Sequence, residues 1–389
     1  MKRVVLSILL CLSLLLSFGA CGKAEKSLVD FTVDVESGRD IRVLQLTDIQ
    51  IIQSEQQRSA GRIGEEHARL WSTARAEENY QSHIRKLVEE YKPDLIVMTG
   101  DNVYGEFDDS GAALKELIGF MDSLKIPWAP VFGNHDNESE MGVDWQCEQF
   151  VNSKYALFKQ RELSGNGNYT VGVRQGGVYK RVFFMLDSNG CGNMSDKSYQ
   201  NGHARNYPGF GEDQIEWYTG LSAKMRKEYK NVKLTACFHI PPFIFSTALQ
   251  KYGYEVGISY LNENPINLEK VGTDGDFGYA GTESGPLWDQ TLEVWNSFHD
   301  GGFDSILVGH EHCNSYSVTY EGVRLQFGQK SSAYDHQNFL QNDGTIVGGF
   351  YSSELADATP IIGGTAMDLT EKDGSIVNAR IILSSGSYR

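Results

Sequence analysis

The sequence predicts an α/β fold, because strand-like apolar runs alternate with segments of helical periodicity over residues 41–132. Strand, helix, strand, helix, strand in that order is typical of a parallel sheet with crossover helices. Further along, residues 169–174 and 179–186 alternate apolar and polar positions around Gly176-Gly177, which predicts a hairpin that opens a second sheet. The 389 residues are 40% hydrophobic and contain no repeat, so the chain can bury a large core.

Five apolar runs predict buried strands, and each of them ends in Asp, Asn or His. With their polar ends, these runs are residues 41–47 before Asp48-Ile49-Gln50, 94–99 before Gly100-Asp101-Asn102, 127–132 before Gly133-Asn134-His135-Asp136, 232–238 before His239, and 304–308 before Gly309-His310-Glu311-His312. Gly133 permits a tight turn that places an amide, an imidazole and a carboxylate side by side. Because open α/β sheets build sites at the carboxyl ends of their strands, we expect these polar ends to converge.

Two segments between the first three strands show the apolar spacing of helices that face a core. Their apolar positions are Tyr80, Ile84, Leu87, Val88 and Tyr91 in the first segment, and Leu114, Leu117, Ile118 and Met121 in the second. Pro93 ends the first helix before the next strand begins. Both stripes indicate packing and carry no functional prediction.

The polar strand ends carry the donor types of a transition-metal site. Asp, Asn and neutral His are ligands appropriate to Fe, Mn, Zn or Co. They are less appropriate to a metal that prefers thiolates or to calcium, which takes only oxygen ligands. Two ions about 3.5 to 4 Å apart that share one carboxylate would use all these donors and would clamp the attacking and leaving oxygens at phosphorus. The alternative for Asp48 and Asp101 is that they cap helices following their strands, since Asp is a favoured N-cap residue.

The order of these motifs resembles that of the calcineurin-like metallophosphoesterases, a family that includes the purple acid phosphatases. The family pattern is Asp-x-His, Gly-Asp, Gly-Asn-His-Asp/Glu, a lone His and Gly-His-x-His. The matching positions here are Asp48 with Gln50, Gly100-Asp101, Gly133-Asn134-His135-Asp136, His239 and Gly309-His310-Glu311-His312, and residues 210–217 resemble the family's Gln-x-x-Trp helix. The resemblance implies a four-layer α/β/β/α sandwich with two packed mixed β-sheets, the second completed by C-terminal hairpins from about Gly344 onward.

The resemblance also implies that the chain holds two divalent or trivalent transition-metal ions, Fe, Mn or Zn. The implied ligands are Asp48, Asp101, His312 and, as a further candidate, Gln50 for one ion, and Asp101 as the bridge, Asn134, His239 and His310 for the other. A hydroxide that bridges both ions is then the expected nucleophile, because a bound cation lowers the pKa of water.

By the same resemblance, the chain is expected to hydrolyse phosphate esters of small molecules, with phosphomonoesters as the first expectation. Phosphodiesters and nucleotides are alternatives for the same site. His135 would donate a proton to the leaving oxygen or stabilise charge on the transferred group, with Asp136 as its orienting partner. A catalytically weakened lipoprotein that binds a phosphorylated ligand is an alternative of another class.

Gln50 departs from the family pattern, which has an imidazole at this position. An amide oxygen is a weaker donor than an imidazole, and an amide nitrogen is not a useful ligand. Gln50 would therefore bind the first ion through its oxygen, hold a metal-bound water, or leave the first site weak and partly occupied. Because the other ligand positions are intact, we expect a working two-metal centre of altered affinity.

The first residues predict export to a bacterial cell envelope. Lys2-Arg3 precedes an apolar run over residues 4–18, which is too short to span a bilayer and has the length of a signal-peptide core. Residues 1–20 are therefore predicted to be a lipoprotein-like signal peptide, with Cys21 as the lipid anchor, and ordinary secretion with cleavage near Ala20 is the alternative. Residues 21–38 are predicted to be a polar tether, and residues 39–389 the phosphoesterase domain.

The formal net charge of −16 argues against nucleic acid as a partner, because a polyphosphate backbone needs a basic groove. Two long irregular stretches, residues 189–211 and 245–285, are candidate substrate loops. In the first stretch, His203 and Arg205 could bind a phosphate oxygen, although a solvated loop position is an equal alternative. Cys237 and Cys313 each lie beside a candidate ligand His and could approach one another, but the sequence fixes no disulfide pairing.

Overall fold

The computed structural model describes residues 27–53, 73–108, 110–190, 207–253, 266–273, 275–280, 291–349 and 357–384. The predicted signal peptide, Cys21 and the substrate candidates His203 and Arg205 lie outside these residues. The described residues form a mixed α/β fold with a nine-stranded, a five-stranded and a small three-stranded sheet. The predicted α/β class with packed mixed sheets is confirmed.

Seventeen strands make up these three sheets in the described part of the chain. In chain order they are β1 Phe31–Asp34, β2 Ile41–Leu46, β3 Leu95–Met98, β4 Trp128–Pro130, β5 Tyr169–Gln175, β6 Val178–Met185, β7 Lys233–Cys237, β8 Ile266–Asn267, β9 Phe277–Ala280, β10 Ser305–Val308, β11 Ser315–Tyr320, β12 Val323–Phe327, β13 Gln337–Leu340, β14 Ile346–Gly349, β15 Thr359–Pro360, β16 Gly363–Leu369 and β17 Ile376–Leu383. The five-stranded sheet has the order β17-β16-β2-β3-β4, the nine-stranded sheet β1-β5-β6-β7-β10-β12-β11-β9-β8, and the small sheet β14-β13-β15.

The described α-helices number seven, and two of them are the helices predicted between the first three strands. They are α1 Ser82–Tyr91, α2 Ala112–Ser123, α3 Gly142–Asn152, α4 Glu212–Glu228, α5 Ile244–Leu249, α6 Leu268–Val271 and α7 Thr291–Asp300. A π-helical turn over Glu77–Gln81 leads into α1, and Lys92 in the left-handed conformation ends it just before Pro93. Short 3-10 turns occupy Thr73–Arg75, Gly105–Phe107, Asp136–Glu138 and Gln250–Tyr252.

The side chains of β6 alternate between two hydrophobic cores and so show how the layers are stacked. Phe183 and Met185 lie with Val43 of β2 in the core between the nine-stranded and the five-stranded sheet, on the face of β2 from which Gln45 bonds to β10 and β12. Val182 and Phe184 point the other way, into the core that the nine-stranded sheet shares with α4 and α7. Because α1 and α2 cover the outer face of the five-stranded sheet, the two large sheets lie between helical layers.

Parallel pairing brings the carboxyl ends of the motif strands to one side of the molecule. β2, β3 and β4 are parallel neighbours in one sheet, and β6, β7 and β10 are parallel neighbours in the other. A parallel bridge between Thr47, just after β2, and Lys330, just after β12, ties the two sheets together at this end. The polar strand ends of both sheets therefore share one edge.

The C-terminal hairpin completes the first sheet, so the prediction that it completes the second sheet is wrong. β16 pairs antiparallel with β2, with Thr365 opposite Gln45. Without β16, β2 would present an unpaired edge, and the hairpin satisfies its backbone groups. The predicted polar tether is also too long, because Phe31–Asp34 forms β1 beside β5 and buries the side chain of Val33.

Cys147, Cys237 and Cys313 are buried, reduced thiols, so the expected approach of Cys237 to Cys313 does not produce a disulfide. Burial raises the pKa of Cys237 well above its usual range, which disfavours the thiolate form that binds metal.

In the described ranges, no helix combines the length and the apolar character needed to cross a membrane.

Candidate metal centre

The structure brings the predicted ligands together at the carboxyl ends of five strands. These residues are Asp48 and Gln50 after β2, Asp101 after β3, Asn134 after β4, His239 after β7, and His310 and His312 after β10. Each of them except the half-buried His310 is at most 4% exposed. So many ionisable and polar side chains buried in one place need compensating partners, which hydrogen bonds or bound cations supply.

The backbone at this edge is strained at four of the ligand positions. The φ angles are 53° at Asp48, 50° at Gln50, 50° at Asp101 and 81° at His310, in the left-handed region that non-glycine residues rarely adopt. Backbone hydrogen bonds from Asp48 N to Gly100 O (3.1 Å) and from Gln50 N to Asp101 O (2.9 Å) hold the first two turns in place. Strain of this kind persists where surrounding structure enforces it, which is common at functional sites.

Two glycines allow the ligand loops to approach one another closely. A Cβ atom at Gly133 would lie 2.2 Å from Oδ1 of Asp101, and one at Gly309 would lie 2.1 Å from Oγ1 of Thr47 and 2.8 Å from Oδ2 of Asp48. Contacts this short are not tolerated, so any larger residue would displace a carboxylate. The glycines of the Gly-Asn-His-Asp and Gly-His-x-His motifs therefore position candidate ligands as well as form turns.

Asp101, Asn134, His239 and His310 form a tight group that we call the second cluster. Nε2 of His239 lies 3.1 Å from Oδ1 of Asn134 and 3.2 Å from Oδ2 of Asp101. Nδ1 of His310 lies 2.8 Å from the same Asn134 oxygen and 3.3 Å from Nε2 of His239. Nδ1 of His239 donates to the Thr99 carbonyl oxygen at 2.8 Å, and this bond aims Nε2 at the cluster.

Asp48, Asp101 and His312 form the first cluster, and Asp101 belongs to both. One donor atom from each of the three residues lies within 4.8 Å of the others, and Nε2 of His312 is 3.5 Å from Oδ1 of Asp48. Nδ1 of His312 is buried without a hydrogen-bond partner among the described residues. It lies 3.6 Å from Oδ2 of Asp335, which is too long for a hydrogen bond.

Gln50 points into the first cluster but is already hydrogen-bonded on both sides of its amide. Its Nε2 donates to Oδ2 of Asp101 at 3.2 Å. Its Oε1 accepts from Nζ of Lys330 at 3.0 Å, and the same ammonium donates to the Asp48 carbonyl oxygen at 2.8 Å. Sequence reasoning missed Lys330, because it lies outside every motif and 280 residues from Gln50.

His135 lies beside both clusters and is held by three contacts. Its backbone N donates to Oδ1 of Asp101 at 2.9 Å, and its ring stacks on Tyr104 with centroids 4.0 Å apart. Its Nδ1 lies 2.7 Å from Oε2 of the buried Glu138. Sequence reasoning missed Glu138, although its spacing of three residues places it one turn along the Asp136–Glu138 helix.

The orienting role predicted for Asp136 is therefore taken by Glu138 in the structure. Both carboxylate oxygens of Asp136 accept hydrogen bonds from other groups: the backbone N–H of Asn102, Val103 and Gly133 at 2.7 to 3.0 Å and the Asn102 side chain at 3.1 Å. The carboxylate turns back onto the backbone because three N–H groups of neighbouring loops converge there. Asp136 thus ties the loop after β3 to the loop after β4.

The charges of the two clusters are coupled through Asp101. Burial raises the pKa of Asp48 to about 6, and the nearby Asp101 carboxylate adds to the rise. Burial alone would raise the pKa of Asp101, but His239 and His135 hold it well below its usual range. Burial opposes the charge on His239, yet Asp101 outweighs it and raises the pKa of His239 to about 9. Burial lowers the pKa of His312 well below its usual range, so this imidazole is neutral and suited to ligation.

The donor set fits two transition-metal ions that share Asp101. The first cluster offers two carboxylates and a neutral imidazole, and the second a carboxylate, an amide oxygen and two imidazoles, which are donors such ions prefer. The facing nitrogens of His239 and His310, 3.3 Å apart, and the Nε2 of His312, 3.5 Å from Oδ1 of Asp48, are arrangements that a cation satisfies.

The family model for calcineurin-like phosphoesterases matches residues 41–314. The chain belongs to the calcineurin-like phosphoesterase family. The matched span contains every residue of both clusters, whereas Lys330 and Asp335 lie beyond it.

Curated relatives are similar at a low level of identity. The chain is 27% identical over 272 residues to the protein named probable inactive purple acid phosphatase 28 of Arabidopsis thaliana, covering 64% of this chain and 61% of that one. It is 26% identical over 259 residues to phosphatase DCR2 of Saccharomyces cerevisiae, covering 63% of this chain and 40% of that one. The chain thus spans less than two thirds of the length of these relatives.

Two solved phosphatase structures align with most of this chain. A dimetal phosphatase from Danio rerio aligns at 12% identity and a TM-score of 0.48, over 90% of this chain and all of its own. A purple acid phosphatase from yellow lupin (Lupinus luteus) seeds aligns at 12% identity and a TM-score of 0.39, over 88% of this chain and 54% of its own.

Proposed function

We propose that this chain is a metal-dependent phosphoric ester hydrolase that works with two metal ions. The observation that carries the proposal is the convergence of six metal-binding side chains, in two clusters that share Asp101, at the ends of five strands. Family membership supports the same reaction class.

The proposed ligands of one ion are Asp48, Asp101 and His312, and those of the other are Asp101, Asn134, His239 and His310. When bound, such ions supply Lewis acidity, which activates water at neutral pH and offsets the negative charge of a phosphate group. The chain's own contribution is a buried, preorganised set of donors on rigid strand ends. Preorganisation of this kind avoids reorganisation cost during the reaction.

His135 is the proposed proton donor to the leaving oxygen. Because Glu138 holds Nδ1 of His135 at 2.7 Å, the proton that is exchanged with a substrate is on Nε2. Stacking on Tyr104 fixes the plane of the ring, so Nε2 keeps one direction relative to Asp101. The buried Glu138 carboxylate also stabilises the protonated form of His135, which is the form a general acid requires.

Phosphomonoesters of small molecules are the proposed substrates, and phosphodiesters and nucleotides are the alternatives on the same site. The proposed location is the bacterial cell envelope, through the signal-like residues 1–20 and lipidation of Cys21. The net charge of −16 supports a small substrate rather than a nucleic acid.

The test is turnover of a monoester and a diester by chelator-treated protein reloaded with Mn²⁺, Zn²⁺ or Fe. We expect chelation to abolish hydrolysis and a transition-metal ion to restore it, with p-nitrophenyl phosphate hydrolysed faster than bis-p-nitrophenyl phosphate. Metal-independent hydrolysis, or a reloaded protein with no turnover of either ester, would overturn the proposal.

A phosphate-ligand-binding protein without turnover is the second candidate function. One observation favours it: Gln50, at a position where the family pattern has an imidazole ligand, has its amide oxygen bonded to Lys330. Saturable binding of phosphate esters by the reloaded protein, with hydrolysis absent for every metal, is the result that would select this candidate.

A further inference from the structure

A buried lysine lies behind the first cluster. Lys330 is 1% exposed, and its ammonium donates to the Asp48 carbonyl oxygen at 2.8 Å and to Oε1 of Gln50 at 3.0 Å. Its backbone is fixed by the parallel bridge to Thr47 and by a hydrogen bond from Gly363 N to Lys330 O at 3.0 Å. The sheet junction therefore sets the position of this charge.

The partners of Gln50 allow one orientation of its amide. The oxygen faces the Lys330 ammonium, which only donates, and the NH₂ group faces Oδ2 of Asp101, which only accepts as a carboxylate. Rotating the amide by half a turn would place NH₂ against an ammonium and oxygen against a carboxylate. Both contacts would become repulsive, so Lys330 and Asp101 together lock the side chain.

A locked Gln50 serves the first cluster less well than an imidazole would, because its oxygen already shares its electron density with the Lys330 ammonium. Its oxygen is the only atom of the amide that can bind a metal ion, and that atom accepts from Lys330. In addition, the ammonium brings a positive charge next to the residues that would hold a cation, in a buried region where charges are weakly screened. Both effects reduce the affinity of the first cluster, whereas Asn134, His239 and His310 of the second cluster accept no hydrogen bond from Lys330 or Gln50 among the described contacts.

We propose that Lys330 and Gln50 form a fixed hydrogen-bonded pair that replaces a metal ligand, so that the first cluster binds its ion more weakly than the second. Gln50 is then a positioning residue for Asp101 rather than a ligand. As the metal concentration rises, the second cluster binds its ion before the first cluster does. This inference rests on the two-metal centre proposed above.

The test is a Zn²⁺ competition titration of the chelator-treated full chain against a chromogenic chelator, which reads affinity without activity. We expect wild-type protein to bind two ions with dissociation constants at least ~10-fold apart. In Lys330→Met, the new side chain has a length similar to that of lysine and carries no charge. The substitution also removes the hydrogen bond to the Gln50 oxygen. It should tighten the weaker site by ~10-fold or more, because repulsion is removed and a donor is gained.

Two further variants keep the test decisive. The Asp48 carbonyl oxygen also accepts from Oγ of Ser332 at 3.3 Å, so the turn keeps one hydrogen bond in Lys330→Met. Lys330→Gln, which removes the charge and keeps a donor, should tighten the weaker site in the same direction if Lys330→Met does not fold. Lys224→Met removes one solvent-exposed charge on α4, outside both clusters, and should leave both constants unchanged.

The outcomes separate this inference from the proposed function. Two ions of equal affinity in the wild type, or a weaker site that is unchanged or weakened in the neutral Lys330 variants, would overturn the inference while the two-metal centre stands. A wild-type chain that binds no ion would overturn both.

Discussion

Oε2 of Glu138 lies 2.7 Å from Nδ1 of His135, and both residues are buried beside the metal-ligand clusters. A carboxylate in this position fixes the imidazole tautomer and stabilises its charged form. In the proposed function, His135 donates the proton to the substrate and Glu138 positions His135.

Replacing His135 with alanine should lower kcat by on the order of 100-fold or more while the metal content is unchanged, as for loss of a general acid. The measurement is steady-state hydrolysis of p-nitrophenyl phosphate together with elemental analysis. Unchanged turnover in His135→Ala would contradict the assignment.

Replacing Glu138 with glutamine should lower kcat and move the basic limb of the kcat profile to lower pH, because the imidazolium loses its carboxylate partner. A pH profile of kcat from pH 4 to pH 10 measures this shift. Glu148→Gln, at an exposed position of α3, is the matched control and should leave the profile unchanged. An unshifted profile in Glu138→Gln would exclude the positioning role.

Replacing Asp101 with alanine should remove both metal ions, since its carboxylate belongs to both clusters. Elemental analysis of protein purified without chelator measures the loss. Asp144→Ala, an exposed substitution on α3, should retain the wild-type metal content. A variant that keeps two ions would show that Asp101 is not the shared ligand.

The metal-free protein should become less stable as the pH rises from about 6.5 to about 9 because of His239. Burial opposes the charge on this imidazole, but Asp101 raises its pKa from 6.5 to about 9. A raised histidine pKa contributes stability that is fully present below the unfolded-state value and is lost as the pH passes the folded-state value.

Urea unfolding at pH 6.5 and pH 9 in the presence of chelator measures this loss, which we expect to be on the order of 1 kcal/mol or more. His239→Asn should show a smaller decrease over the same interval. Equal pH dependence in the two proteins would contradict the raised pKa.

Replacing Asp136 with asparagine should lower the free energy of unfolding by about 2 kcal/mol, because an NH₂ group would face donors that now bond to a carboxylate oxygen. Burial raises the pKa of Asp136 to about 7, and its backbone hydrogen bonds oppose that rise. Chemical denaturation measures the effect, with Asp144→Asn as the exposed control. Wild-type stability would show that the hydrogen bonds of Asp136 do not hold the two loops together.

Much of the candidate ligand set follows from local sequence, because each candidate ligand comes directly after an apolar strand. Parallel strands align their carboxyl ends, so residues such as Asp101 and His239 meet although 138 positions separate them in the chain. The hairpin of β5 and β6 and the helix α1 were equally predictable, since alternation and helical spacing are local properties. The edge of the sheet that β16 occupies was not predictable, because β16 is far from β2 in sequence and could pair with either sheet.

The sequence by itself determined the α/β class, the position of the strands and the residue types gathered at their ends, because periodicity and donor chemistry are properties of short segments. The tertiary structure alone decided how Gln50, His135 and Asp136 are used. Glu138 rather than Asp136 reaches His135 because three backbone N–H groups already hold Asp136. Gln50 is locked by Lys330, a residue 280 positions away that only the bridge between the two sheets brings into contact.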